Sequence, residues 1–218
     1  MAQLRKTCDN ANVTHNTTLM HPRTLFRIIT ITQNILLAVS ILLLVLLPPF
    51  IALSDSMTPS LRDILFEISH VAVAFVMLIR PLANLFPRRR LLAQLVILRK
   101  GFGVLSASII LAFAIAQVVL QGGAYFAQFL TLSYWSLKNY ALLAHLGDVT
   151  AFILLITSNN FSKRILGRNW KRVQKLAYIY FYAGTGYAAL AFHNTLAITI
   201  LTLVTIVLFL AFIKNHRK

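Results

Sequence analysis

Acidic side chains are nearly missing from this chain, which carries five Asp and Glu against 21 Lys and Arg in 218 residues, a formal net charge of +16. Charged residues of both signs make up 12% of the sequence and hydrophobic ones 58%, whereas a soluble domain carries roughly a quarter charged residues. Water is therefore not the main solvent of the folded chain. Cysteine is down to Cys8, which excludes an internal disulfide and any cysteine-based metal cluster. A glycine-rich dinucleotide fingerprint, a P-loop and an HExxH zinc motif are also lacking, so no local motif loads a nucleotide or a catalytic zinc. The expectation is no signal peptide, because the first apolar run is too long and lacks a small-residue cleavage site. The positive charge invites a nucleic-acid reading. It sits in short clusters between long apolar runs, which argues for no nucleic acid and for a bilayer.

What the chain does have is apolar length. A hydrocarbon core about 30 Å thick needs about 20 apolar residues in a helix. Six segments approach that, near Leu25 to Leu47, Asp63 to Phe86, Gly101 to Gln121, Asn139 to Ser158, Leu176 to Phe192 and Thr195 to Ile213. The expected fold is all-α, a polytopic membrane protein of six transmembrane helices, with a polar N-terminal tail over 1–24 and the membrane domain over 25–218. Pro48-Pro49 is expected to end the first helix, since proline lacks the amide donor and clashes with the preceding turn. Only His193-Asn194 separates the fifth and sixth helices, which makes them a tight hairpin.

The basic residues orient this path. If six helices alternate, every Lys and Arg except Arg62, Lys138 and Arg80 falls on one side. Cytoplasmic loops collect Lys and Arg, so both termini are expected in the cytoplasm, and the clusters suit anionic lipid headgroups. Asn12 and Asn16 match glycosylation acceptors but fall on the wrong side of this topology. Pro87 to Lys100 holds LLAQLVIL between basic ends and is expected to lie flat in the cytoplasmic interface. Gly122 to Lys138 is aromatic and nearly uncharged, an outer-interface anchor or a lid for a partner.

Three stretches carry a resemblance. IRPLAN (Ile79 to Asn84) ends the second helix, LRKGFG (Leu98 to Gly103) opens the third, and TSNNFSKRILGRNWKRVQKLAYIYF (Thr157 to Phe181) spans the fourth connection. Over about residues 60 to 192 the chain resembles the ferric-reductase-like transmembrane domain superfamily, nearest to the haem-binding membrane subunits that serve a periplasmic methionine sulfoxide reductase. The resemblance implies six helices in a bacterial-type cytoplasmic (inner) membrane, with b-type haem between the third and fifth. It also implies electrons from quinol or a flavin partner passing to an extracytoplasmic acceptor. Where the family's fifth helix carries two His, this sequence has Gln174 and Tyr187, and where the third carries His the register lands on Phe113. Neither helix contains any His, and of the three substitutes only Tyr is known to ligate haem iron.

The spanning helices keep a few ionisable groups, which cost about 2.5 to 3.5 kcal/mol each on insertion scales and are functional candidates by default. Glu67 and His70 share a face of the second helix, and His145 and Asp148 a face of the fourth. At about 1.5 Å per residue, they lie roughly 6, 10, 9 and 13 Å below the outer ends of their helices. All four meet if those helices pack together. Three readings stand open for such a set. It is a buried polar network that tightens the bundle, or His70 and His145 hold a relocated haem or a metal with Glu67 and Asp148 as ligands or orienters, or it relays protons or touches a quinone. Arg80 is expected to snorkel to the headgroups, with a haem propionate or an acidic partner as the alternative. Gln117, Gln121, Gly184 and Gly186 read as helix-packing features.

The preferred expectation is an accessory membrane subunit with no haem and no catalytic activity of its own, packed against other membrane-protein subunits. The alternative is a haem b or quinone-linked electron-transfer subunit using His70, His145, Tyr187 or a partner's ligands. A small transporter is disfavoured, because the halves show no inverted repeat.

Overall fold

The structure is a computed structural model, and it describes residues 22–53, 59–87, 89–132, 135–136 and 140–216. Nearly all of the polar tail, with Cys8, Asn12 and Asn16, lies outside the described residues. Among the described residues ten α-helices follow one another: α1 (Pro22–Leu53), α2 (Pro59–Leu85), α3 (Arg90–Leu95), α4 (Arg99–Gln121), α5 (Gly123–Phe129), α6 (Ala141–Thr157), α7 (Asn160–Leu166), α8 (Trp170–Val173), α9 (Leu176–Ala191) and α10 (Thr195–His216). Among the described residues there is no strand. The chain is an all-helical membrane-type protein in which four helices are long and apolar enough to cross a bilayer, or five if α6 and the segment 160–173, bent by 93°, count as one span. The remaining candidate, α9, has 16 residues, about 24 Å at 1.5 Å per residue.

Two expectations give way here. The first helix does not stop at Pro48-Pro49 but carries both residues and ends at Leu53. Proline removes its own amide donor, a local loss that spanning helices accommodate through neighbouring groups. The segment LLAQLVIL does not form a separate flat helix. Through a 3₁₀ turn at Val96–Leu98 it runs on into α4, giving one apolar stretch from Leu91 to Gln121. The helix α1 lies along it, touching α3, the turn and α4 in succession.

The bundle is built around α4, which packs against α1, α2 and α6, while α9 packs on α6 and α10 closes on α2 and α9. In lipid there is no hydrophobic force between helices, so packing and polar ties must hold them. Phe66 on α2 stacks against Phe113 on α4 with centroids 4.7 Å apart, and Phe75 meets Phe102 at 4.5 Å; these pairs fix an antiparallel register. Gly147 lets α6 approach α9, where an added Cβ would stand 3.5 Å from the Gly184 Cα. Met77, Leu111, Ala151, Phe181 and Val204 meet in the shared core.

One end of the bundle is basic. There α2 and α10 finish and α4 and α9 begin, and the Lys214 ammonium donates to the Leu85 carbonyl at 2.6 Å. Carbonyls in the last turn of a helix lack an intrahelical partner, so this bond caps α2 and pins α10 beside it.

Candidate functional site

The connection from α6 to α9 is built as a corner. Asn159 caps α7 by accepting the Ser162 amide at 2.6 Å, which satisfies one of the orphan donors of a helix start. Gly167 ends α7 at φ +49°, a conformation that costs glycine little. The chain then returns, and Trp170 Nε1 donates to the Thr157 carbonyl at 2.9 Å while Gln174 Nε2 reaches the Thr157 Oγ1 at 3.4 Å. Lys163 lies over the Trp170 ring at 5.4 Å. The polar side chains of this connection thus fasten the end of α6 to the start of α9, and Gln174 belongs to that fastening.

Phe113 and Tyr187 are also in contact with protein. The Phe113 ring is covered by Phe66, and Tyr187 takes Phe192 edge-on at 5.4 Å. Between them, α4 and α9 are joined directly. The Ser106 hydroxyl on α4 lies 2.7 Å from the Tyr180 hydroxyl on α9 and 3.0 Å from the Ser69 hydroxyl on α2, and Ser69 also reaches the Ser106 carbonyl at 3.3 Å. Ser69, Ser106 and Tyr180 are buried. Each hydroxyl can donate once and accept twice, so one chain of bonds ties three helices in a medium where an unpaired hydroxyl is costly. Thr185, one turn further along α9, is buried with its Oγ1 unpaired.

The ionisable groups do not converge. Glu67 is exposed, and His70 turns back on its own helix, its Nδ1 2.6 Å from the Phe66 carbonyl. A carbonyl only accepts, so Nδ1 carries the proton there and the lone pair is on Nε2. His145 meets the edge of Trp135 at 5.8 Å. The contacts of α2 run chiefly to α4 and α10, and those of α6 to α9 and α4, so the packing that would unite the four groups is not the one adopted. Among the described residues no group of three or more His, Cys, Asp or Glu could hold a metal ion.

Gln121 donates to Gln117 at 2.9 Å and accepts from Gln128 at 3.2 Å, which fastens α5 to the end of α4 instead of joining spans. A Cβ at Gly184 or at Gly186 would meet nothing within 4 Å; it is Gly147 whose Cβ would reach the Gly184 backbone. Arg80 is exposed at the basic end. Sequence reasoning missed Ser69, Ser106 and Tyr180. The available signal was the Ser-Ala-Ser run at 106–108 within an apolar helix, since small polar residues mark close helix contacts. The chain matches no protein-family model and no solved structure.

Proposed function

We propose that this chain is a ferric-reductase-like integral membrane subunit that holds no haem at the family positions and acts as a structural, accessory part of a larger membrane complex. The observation that carries this reading is the 2.7 Å bond between Ser106 and Tyr180. In the family, b-type haem lies between the third and fifth spans, and here those two walls are bonded to each other. Tyr180 falls between Gln174 and Tyr187 in α9 and its approach, so a macrocycle seated there would have to part the tie. The donor set does not fit the group either. Phenylalanine offers no lone pair, glutamine is not an ordinary haem ligand, and Tyr187 alone is a poor replacement for two imidazoles.

The same reading makes α6 and α9 the fourth and fifth of six spans. They have 17 and 16 residues, about 26 and 24 Å, short of a 30 Å core by an amount that local thinning of the bilayer accommodates. An even number of crossings gathers the basic clusters on one side and, by the preference of cytoplasmic loops for Lys and Arg, puts both termini in the cytoplasm of a bacterial-type inner membrane. Partners are then the bilayer and other membrane-protein subunits.

Native mass spectrometry of tagged protein, extracted from its own membranes in mild detergent, tests the subunit role. The expected result is a fixed-ratio assembly with one membrane partner in repeated preparations. A chain that runs alone, fully stable and unaltered in abundance when its neighbours are absent, would refute it.

One observation favours a second reading. The Nδ1 bond of His70 to the Phe66 carbonyl presents Nε2 outward, the arrangement that orients an imidazole for ligation or for a quinone. The double variant His70→Ala, His145→Ala separates the two: loss of visible absorbance or bound iron would favour the electron-transfer role, and unchanged values remove it.

A further inference from the structure

The basic end of the bundle holds two guanidinium groups on facing helices with no acid to neutralise them. The antiparallel register of α2 and α4 is set by Phe66 on Phe113 and by Val76, whose Cγ2 would lie 3.7 Å from a Cβ on Gly103. One turn onward along α2 and one turn back along α4 bring Arg80 level with Arg99. Tyr178, on the first turn of α9, and Arg80 are the groups that act on the Arg99 charge. Arg99 is half-buried and Arg80 exposed. Among the described residues the ion pair present is Arg62 with Asp63, and the side chains of Arg80 and Arg99 make no hydrogen bond or ion pair. Glu67 is thirteen residues up α2, about 20 Å away at 1.5 Å per residue. Lys214 is already committed to the Leu85 carbonyl.

Two like charges held level at the end of a membrane bundle repel unless an anion comes between them, and the fork of a guanidinium matches phosphate oxygens in pairs. The surroundings say what else the ligand carries. Phe86, Leu91, Tyr178 and Ile179 stand exposed around the same end, an apolar skirt beside a cationic notch. A ligand that satisfies both has a phosphate and long hydrocarbon chains.

We infer that Arg80 and Arg99 form a binding site for the phosphate of an anionic phospholipid at the basic end of the α2–α4 pair, with its acyl chains lying along the exposed apolar residues beside it. The ligand carries net negative charge because two cations face it, and it bridges the two helices at their basic end. This inference needs the bilayer but not the absence of haem.

The test uses the full-length protein in detergent, with native mass spectrometry reading lipid adducts and a thermal scan reading the unfolding midpoint. Phosphatidylglycerol, phosphatidylcholine of the same chain length and inorganic phosphate are added in parallel. The expected result is adducts and a raised midpoint with phosphatidylglycerol alone. Arg80→Gln with Arg99→Gln should weaken that binding at least about tenfold, the loss expected for charge-assisted bonds, while Lys171→Gln with Lys175→Gln leaves it intact. Arg80→Lys with Arg99→Lys keeps charge but not the fork, and intermediate binding is expected should the Gln variant fail to fold. Equal binding of phosphatidylcholine, an equal response to inorganic phosphate, or full retention of phosphatidylglycerol by the Gln or the Lys variant would overturn the site.

Discussion

Removing one oxygen from Tyr180 is the most informative perturbation of the interior. Tyr180→Phe leaves the buried ring where it is and deletes only the partner of Ser106, so it isolates the hydroxyl from packing. Hydrogen bonds between membrane helices average about 0.6 kcal/mol and reach about 1.7, and the 2.7 Å contact belongs in the upper part of that range. Ser106 keeps Ser69 as a partner at 3.0 Å, so Tyr180→Phe should cost about 0.6–1.7 kcal/mol. Ser106→Ala removes the middle of the chain and strands a buried phenol, which costs about 1–3 kcal/mol for the unpaired group. Ser69→Ala should cost the least, because Ser106 and Tyr180 remain bonded. Reversible unfolding in mixed micelles by titration with a denaturing detergent gives these values. A double-mutant cycle on Ser106→Ala and Tyr180→Phe gives their coupling. A coupling near zero, or a Tyr180→Phe loss below about 0.3 kcal/mol, half the membrane average, would refute the tie between α4 and α9.

Gly147→Ala should be tolerated within about 0.5 kcal/mol, since the new Cβ meets Gly184 at ordinary contact distance, but Gly147→Leu should cost about 1–3 kcal/mol by forcing α6 off α9. Gly101→Ala should lower stability by about 1–3 kcal/mol, because its Cβ would stand 3.1 Å from two carbons of Leu36; Leu36→Ala should restore part of the loss. Trp170→Phe deletes the bond to the Thr157 carbonyl and should cost about 0.5–1.5 kcal/mol, read as faster protease cleavage between residues 158 and 175.

The apolar helices were legible because apolar length is a local property of the chain. Each of the six runs became a helix, with ends shifted by a few residues. The errors came where a local rule met tertiary support: Pro48-Pro49 looked like a stop when judged by its own amides, and LLAQLVIL looked like a surface helix when judged by its basic flanks. The polar interior was less legible. Serine and tyrosine occur throughout such helices, and nothing in the spacing of Ser69, Ser106 and Tyr180 says that their hydroxyls meet, because that depends on three helix rotations at once. Glu67, His70, His145 and Asp148 drew attention through chemical type, yet α2 and α6 each use α4 as a neighbour and the four groups stay distributed. Trp170 was recognised as part of a motif, and its structural use became clear only from the Thr157 carbonyl it binds.

The central proposal is that α4 and α9, joined through Ser106 and Tyr180, hold no haem between them. A reduced-minus-oxidised visible spectrum of the purified full-length protein, produced with haem supply in excess and paired with a pyridine haemochromogen assay, tests it most directly. The account predicts no b-type Soret or α band and far fewer haems than chains. One haem per chain, with a Soret band that shifts on reduction, would contradict it.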